Sequence, residues 1–355
     1  MHIAFLYNEA AEDPAHTADD NVPARSPVVA ALRRLGHTVT PIACTLDLAA
    51  VRNEIDRFKP DIAFNRVESL GGSDAMIAAV TMLLDTRGIP YTGCRTESLV
   101  ATASKLNVKR RLVRAGLPTP EWIVGDFGFR ISDCGLKDCL DNPQSEIRNS
   151  RFILKSVYEH ASFEIDDASV VEAADRREIA WLVDERTSDS GRPCFAERFI
   201  DGREFNLSLL GDEPQILPPA EIDFSAFPED KPRIVGYGAK WNAGSFEYCN
   251  TRRRFDFPPA DIPLLRRLSE LAVECWRLFD LCGYARVDFR CDEAGQPWIL
   301  EINANPCLSP SSGFAAALER GGIGYDGGFQ RILDAAMPPG RRPPFRPQRQ
   351  PLVVR

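Results

Sequence analysis

The residues with the most chemical content lie in one stretch, Ala285-Arg-Val-Asp-Phe-Arg-Cys-Asp-Glu-Ala-Gly-Gln-Pro-Trp-Ile-Leu-Glu-Ile-Asn-Ala-Asn-Pro306. It reads as a strand, a turn at Asp292–Pro297 and a second strand. A side-chain period of two puts Arg286 and Asp288 on one face of the first strand, and Glu301 and Asn303 on one face of the second. Pairing Cys291 with Trp298 across the turn sets Asp288 opposite Glu301 and Arg286 opposite Asn303, with Cβ atoms about 4.5–5.5 Å apart. Val287, Phe289, Leu300 and Ile302 then point to the other face. Two directly opposed carboxylates destabilise a merely structural sheet. Two carboxylates and an amide oxygen do suit a hard divalent cation, such as Mg²⁺ shared with nucleotide phosphates. An amphipathic hairpin with a solvated polar face satisfies the same alternation, so the rest of the chain must decide.

Positioning such a hairpin takes a sizeable scaffold, and 355 residues, 44% of them hydrophobic and 26% charged, supply two to three ordinary globular domains. Lys and Arg number 43 against 51 Asp and Glu, a net charge of −8, which argues against a general nucleic-acid binder. No apolar run reaches the roughly 18–20 residues that span a bilayer. The opening Met1-His-Ile-Ala-Phe-Leu-Tyr7 lacks a basic leader and reads as a buried first strand rather than a signal peptide. The ten cysteines are scattered, several in apolar stretches (Cys275, Cys282), and read as reduced thiols of a cytoplasmic protein. The tightest of the spacings considered for zinc, Cys134 to Cys139, does not make a zinc pair, and His160 reads as a loop residue.

Residues 1–95 alternate strands (Ile3–Tyr7, His37–Ala43, Asp61–Asn65) with helices (Pro27–Leu35, Leu46–Phe58, Asp74–Arg87). That pattern predicts a doubly wound parallel sheet. Ligands sit beyond the carboxyl ends of such strands, which points to loops 8–26 and 65–74. One helix is predicted over Glu97–Arg114, stopped before Pro118 and Pro120, and its basic residues Lys109, Arg110, Arg111 and Arg114 read as a mostly solvated face. Strands follow at Trp122–Val124, Phe152–Lys155, Phe195–Phe199 and Glu204–Leu210, and helices at Asp175–Glu185 and Asp261–Phe279. The stretch Asp126–Arg151 carries few signals. Gly236-Tyr-Gly-Ala-Lys-Trp-Asn-Ala-Gly-Ser245 reads as a mobile segment, and the Pro/Arg-rich end from Pro338 as an extended tail.

In this order and spacing, Phe64-Asn65, Gly71-Gly72, Gly88-Ile-Pro-Tyr-Thr-Gly93, Ser104-Lys105, Ala115-Gly-Leu-Pro-Thr-Pro120, Ile153-Leu-Lys155, Glu197-Arg-Phe-Ile200, Gly202-Arg-Glu-Phe205, Ala239-Lys240, Arg286-Val-Asp288 and Leu300-Glu-Ile-Asn303 resemble the ATP-grasp superfamily, most closely its D-alanine–D-alanine ligase branch. The resemblance runs to about Ala336. It implies three α/β domains (1–95, 96–198 and 199–336, with a flexible tail over 337–355), with ATP clasped between the second and third. Carried over by position, Asp288, Glu301 and Asn303 hold two Mg²⁺ ions, with Mn²⁺ as an alternative. Lys105 and Lys155 bind phosphates. Glu197 meets the adenine amino group, the backbone of Arg198 and Ile200 the ring nitrogens, and Glu204 the ribose. Lys240 covers the γ-phosphate, Arg286 neutralises the transferred phosphoryl group, and Ser312 binds the second substrate's carboxylate. The implied activity is ATP-dependent joining of a carboxylate to an amine through an acylphosphate, on small amino-acid or peptide substrates, in a protein that a homodimer would suit. The alternatives are a ligase for another amino acid and a specialised acceptor, and a non-catalytic ATP-binding regulator.

Several positions depart from the family. The segment Ser156-Val-Tyr-Glu-His-Ala-Ser162 has no glycine, although Ser162 keeps a hydroxyl for phosphate, and Ala161 replaces a serine. The first loop is long and acidic (Glu9, Glu12, Asp13), and Glu68-Ser69 replaces a His-Gly pair. Cys307 stands for a glycine, and Gly313 for a leucine that packs on the small substrate side chain. A wider pocket, and a substrate pair other than two D-alanines, are therefore expected.

Overall fold

The apolar strand β1 (His2–Asn8) needs cover on both faces and lies between parallel neighbours β2 (Thr38–Cys44) and β3 (Ile62–Arg66). The computed structural model describes residues 1–8, 26–125, 150–159, 162 and 164–337. Alternation along β1 sends Ile3 and Phe5 toward helix α1 (Pro27–Arg34), and Ala4 and Leu6 toward α2 (Leu48–Phe58) and α3 (Ala79–Arg87). Helix α2 closes on Lys59 in the left-handed region, φ 45°. An L side chain there costs roughly 1 kcal/mol, so Lys59→Gly should raise unfolding stability by up to about 1 kcal/mol, read by denaturant titration.

The single helix predicted over Glu97–Arg114 is two, α4 (Thr96–Ala103) and α5 (Lys105–Arg114). Ser104 breaks it by adopting an extended backbone and capping α5, its Oγ accepting from the Asn107 amide at 3.4 Å. The Lys105 amide donates to the Val157 carbonyl at 2.9 Å, so the break fixes Lys105 at the head of α5.

The second sheet is antiparallel, in the order β4 (Trp122–Val124), β7 (Cys194–Arg198), β5 (Ser150–Ser156), β6 (Val170–Ala173), and α6 (Arg176–Ser190) packs on it through Ile179 and Val183. The third sheet combines β8 (Arg203–Gly211), β9 (Gln215–Ile216), β10 (Ala220–Asp223), β11 (Arg252–Arg254), β12 (Gly283–Cys291) and β13 (Pro297–Asn303). Its order is β11-β10-β8-β12-β13, with β9 on β8. One face, carrying Phe205, Leu207, Val287, Phe289 and Ile302, packs on α9 (Ile262–Leu278) and on Leu99, Val108 and Leu112 of α4 and α5. The other face is polar and looks into a cleft.

The segment from Gly236 to Ser245, expected as a Gly-rich cover, contributes α7 (Tyr237–Trp241) and leads into α8 (Phe246–Asn250). A Cβ at Gly236 would stand 2.4 Å from the Ile165 carbonyl oxygen, so glycine lets this segment dock there; the Tyr237 amide donates to the same oxygen at 2.8 Å. Helices α10 (Gly313–Arg320) and α11 (Tyr325–Ala336) return to the first sheet, where Phe314 and Phe329 share a core with Phe5 and Phe64. The eight described cysteines form no disulfide. No described helix is long and apolar enough to cross a membrane. The predicted features at Glu9, Glu12, Asp13, Cys134, Cys139, His160, Ala161 and the Pro/Arg-rich end from 338 lie outside the described residues.

Candidate active site

Three neighbouring strands carry the polar face in rows. Asn206 of β8, Asp288 of β12 and Glu301 of β13 lie side by side, as do Ser208, Arg286 and Asn303. The predicted opposition of Asp288 to Glu301 and Arg286 to Asn303 is present. The predicted pairing of Cys291 with Trp298 is not. Trp298 faces Arg290 and Cys291 faces Pro297, because a bulge interrupts the ladder beyond Asp288. Ile299 and Glu301, two residues apart, would share a face in a regular strand. The bulge at Leu300 buries Ile299 in the core and leaves Glu301 in the cleft, and it turns Leu300 into the cleft lining rather than to the core.

Charge in these rows is tightly matched. Arg286 holds Asp288 with two bonds, Nε to Oδ1 at 2.7 Å and Nη2 to Oδ2 at 2.8 Å. Asn206 Nδ2 donates to Asp288 Oδ1 at 2.8 Å. Burial works against the Arg286 charge, but Asp288 and Glu301 together outweigh it and raise the guanidinium pKa. Lys105 Nζ stands 3.8 Å from Glu301 Oε1. Burial lowers the pKa of the Lys240 ammonium, against the pull of Glu301, and Arg286 adds to the lowering.

At the second sheet, Glu197 is 1% exposed and paired twice, with Lys155 at 2.5 Å and Lys109 at 2.6 Å. Lys109, read from sequence as part of a mostly solvated basic face, is instead buried. It also donates to Thr119 Oγ1 and the Pro120 carbonyl, each at 2.9 Å. Burial pulls the Lys109 pKa down to about 8, with Glu197 opposing and Lys155 adding to the shift. Burial pushes the Glu197 carboxyl up, and the two lysines outweigh it, holding it below the usual carboxylate range. Glu204 accepts from Arg290 Nε at 3.0 Å, and Arg290 Nη1 reaches the Ile200 carbonyl at 3.2 Å. The Arg198 amide already donates to the Glu121 carbonyl at 2.8 Å. Any contact of Arg198 with a base therefore falls to its carbonyl, which can meet an amino group but not a ring nitrogen.

Ser312 caps α10, its Oγ accepting from the Ala315 amide at 3.2 Å, which leaves the hydroxyl proton able to donate. Ser162 adopts a left-handed backbone, φ 60°, in the segment whose glycines are missing. One cleft of about 550 Å³ gathers all of the predicted residues: Lys105, Lys155, Ser162, Glu197, Arg198, Ile200, Glu204, Lys240, Arg286, Asp288, Glu301, Asn303 and Ser312. It also takes in Glu68, Asp74, Asn206, Arg253 and Arg290, which the motifs did not assign. Asn206 and Arg290 were legible in principle, since the β8 register places them beside Asp288 and Glu204. Among the described residues no cluster of three or more His, Cys, Asp or Glu side chains is set for a metal. The set facing the cleft is two carboxylates and the Asn303 amide, an all-oxygen donor set whose chemistry suits Mg²⁺.

Residues 163–334 match the family model described as "D-ala D-ala ligase C-terminus". A D-alanine–D-alanine ligase of Moorella thermoacetica is 26% identical over 351 residues, covering 96% of this chain and all of that one. Over residues 163–334 by the family model, and over most of its length by this relative, the chain is similar to the D-alanine–D-alanine ligases. An uncharacterised protein of Sinorhizobium fredii, y4sG, is 28% identical over 87% of this chain and 86% of its own length. The solved structure of the D-alanine–D-alanine ligase of Bacillus anthracis, complexed with ATP, superimposes with a TM-score of 0.66 at 19% identity, covering 95% of this chain and 97% of that one. Glu68, which departs from the His-Gly pair of the resembled family, is held by Arg66 at 2.7 Å, and Arg66 also donates to the Pro306 carbonyl.

Proposed function

We propose that this chain is an ATP- and Mg²⁺-dependent ligase that joins a carboxylate to an amine through an acylphosphate. The observation that carries the reading is the row of Asn206, Asp288 and Glu301 beside Arg286 and Asn303, facing Lys105 and Lys240 across one cleft. A carboxylate cannot lose oxide to an amine. Attack of a carboxylate oxygen on the γ-phosphorus of ATP breaks the bond to ADP and turns that oxygen into part of a phosphate leaving group. Attack of the amine on the acyl carbon then expels phosphate, and the ammonium gives up its proton. Both steps depend mainly on positioning and charge neutralisation.

In this reading Asp288, Glu301 and Asn303 hold Mg²⁺, which supplies positive charge to the phosphates. Asp288 stays oriented by Asn206 and Arg286. Glu197 and the Arg198 carbonyl meet the adenine amino group, the Ile200 amide a ring nitrogen, and Glu204, steadied by Arg290, the ribose. Lys105, Lys155 and the Ser162 hydroxyl bind phosphates. Lys240, carried by the short helix α7, closes over the γ-phosphate and excludes water from the acylphosphate. Ser312 donates to the carboxylate of the amine substrate. Glu68, held by Arg66, and Asp74 add carboxylates to the cleft lining. Residues 96–198 and 199–336 act as the two halves that clasp the nucleotide.

The test is ADP release from ATP and Mg²⁺ over pairs of D- and L-amino acids and dipeptides, with isolation of the product. ADP should form only when a carboxylate donor and an amine are both present. Nucleotide binding with no ADP from any pair would replace the ligase with an ATP-binding regulator. A strong preference for D-alanine alone would remove the expectation of a different substrate pair.

A further inference from the structure

Gly313 is the first residue of α10 and shows no positive φ, so its backbone does not demand glycine. What a side chain there would crowd is Arg253. A Cβ at position 313 would lie 3.2 Å from Arg253 Nε and 3.9 Å from its Cζ. The pocket space expected from a missing side chain at 313 is therefore filled by a guanidinium.

Strand β11 makes this deliberate-looking placement a matter of register. Arg252, Arg253 and Arg254 face Asp223, Ile222 and Glu221 of β10. Arg254 is committed to Glu221, 2.5 Å away, while Arg253, an exposed side chain, lines the mouth of the cleft together with Arg252. Arg253 donates through Nη1 to the Ser311 carbonyl at 3.0 Å, and no carboxylate among the described residues pairs with it. Arg286 is already taken by Asp288 and stands near enough to repel Arg253 rather than satisfy it. Beside it lie the hydroxyls of Ser309 and Ser311, 3.3 Å apart. This end of the cleft thus offers a planar cation, unpaired by any described acid, next to hydroxyl groups. That is the chemistry of a carboxylate subsite.

We propose that Arg253 is a specificity-determining residue, and that the amine substrate carries an acidic side chain whose carboxylate it binds. The inference rests on the ligase reading, in which Ser312 takes that substrate's other carboxylate. Gly313 serves the same end by leaving the guanidinium room.

Equilibrium binding tests it on the full chain with Mg²⁺ and a non-hydrolysable ATP analogue, using both enantiomers of aspartate, glutamate, asparagine, glutamine and alanine. The acid should bind roughly 10- to 100-fold tighter than its amide isostere, the range of a charge-assisted contact. Arg253→Gln should shrink that ratio to about three-fold or less, and Arg253→Lys should keep part of it. Gly313→Leu, which alters no charge but displaces the guanidinium, should shrink it too. Binding of the ATP analogue checks that each variant is folded. Amides or alanine binding as well as the acids, or a ratio unchanged in Arg253→Gln, would overturn the proposal. Acid discrimination without ADP formation in any substrate pair would sink the ligase reading and leave this subsite standing.

Discussion

Glu301→Gln should lower ADP formation by about 10²–10³-fold, or more, while changing unfolding stability by less than about 1 kcal/mol. The two halves of that result follow from one geometry. Glu301 lies directly opposite Asp288, and its side chain is 17% exposed. Removing its charge relieves the opposition to Asp288 and gives up the attraction of Lys105, at 3.8 Å, and of Lys240 and Arg286, so gain and loss offset. If Glu301 were a structural ion-pair partner, the variant would lose stability and keep turnover. If it neutralises phosphate charge by way of a cation, the variant keeps its fold and loses the reaction, and the Mg²⁺ concentration for half-maximal rate rises. Turnover within a factor of two of the parent protein, with the same Mg²⁺ dependence, would remove Glu301 from the reaction. Asp288→Asn is the less informative change. It strips Arg286 of a two-bond partner where both side chains are 15% exposed or less, which costs about 3–5 kcal/mol by itself.

Part of this arrangement is visible in the residues alone. Period-two alternation places Asp288 against Glu301, and the alternation of apolar strands and amphipathic helices before Gly93 dictates the parallel first sheet. The bulge is not visible, because Leu300-Glu301-Ile302-Asn303 alternates regularly and the extra residue leaves no mark beyond the adjacent pair Ile299-Leu300. Only the competing demands of a dry core at Ile299 and a wet cleft at Glu301 force the extra residue. The break between α4 and α5 is a similar case. Glu97 to Arg114 has good helical composition, and the serine that ends one helix and caps the next is indistinguishable by type from a surface serine until the Lys105 amide has the Val157 carbonyl to meet.

Position 313 shows the other limit of sequence reading. A glycine in place of a larger residue predicts vacant volume, and the volume is occupied from a distant strand. Nothing near 313 in the chain announces Arg253, since the contact depends on which face of β11 the middle of three consecutive arginines takes. All three arginines are exposed, and what distinguishes them is partner: Arg254 is committed to Glu221, while Arg253 lines the cleft beside Gly313.

Lys109 is the residue most thoroughly disguised by its neighbours in sequence, Arg110 and Arg111, and its replacement carries a large expected cost in stability. Lys109→Met leaves Glu197 buried with Lys155 as its remaining described lysine partner and deprives Thr119 and Pro120 of their shared donor. Breaking one partner of a buried pair costs about 3–5 kcal/mol at pH 7, and Lys109→Met combined with Glu197→Gln should recover part of it, since the acid is then no longer a buried charge. The pH dependence identifies the cause. Burial holds the Lys109 pKa near 8 in the folded protein against an ordinary 10.5, so between these values the unfolded chain binds more protons at this site than the native one. Stability attributable to Lys109 must therefore rise with pH across that window and level off above it, by up to about 3 kcal/mol in all. Subtracting the unfolding free energy of Lys109→Met from that of the parent protein at each pH cancels the tyrosines and thiols that titrate nearby. Glu197, held below the usual carboxylate range, stays ionised throughout and adds no slope. A difference that is flat from pH 7.5 to 10 would mean that the ammonium keeps its charge in the folded state, with the coulombic pull of Glu197 outweighing the burial of Lys109.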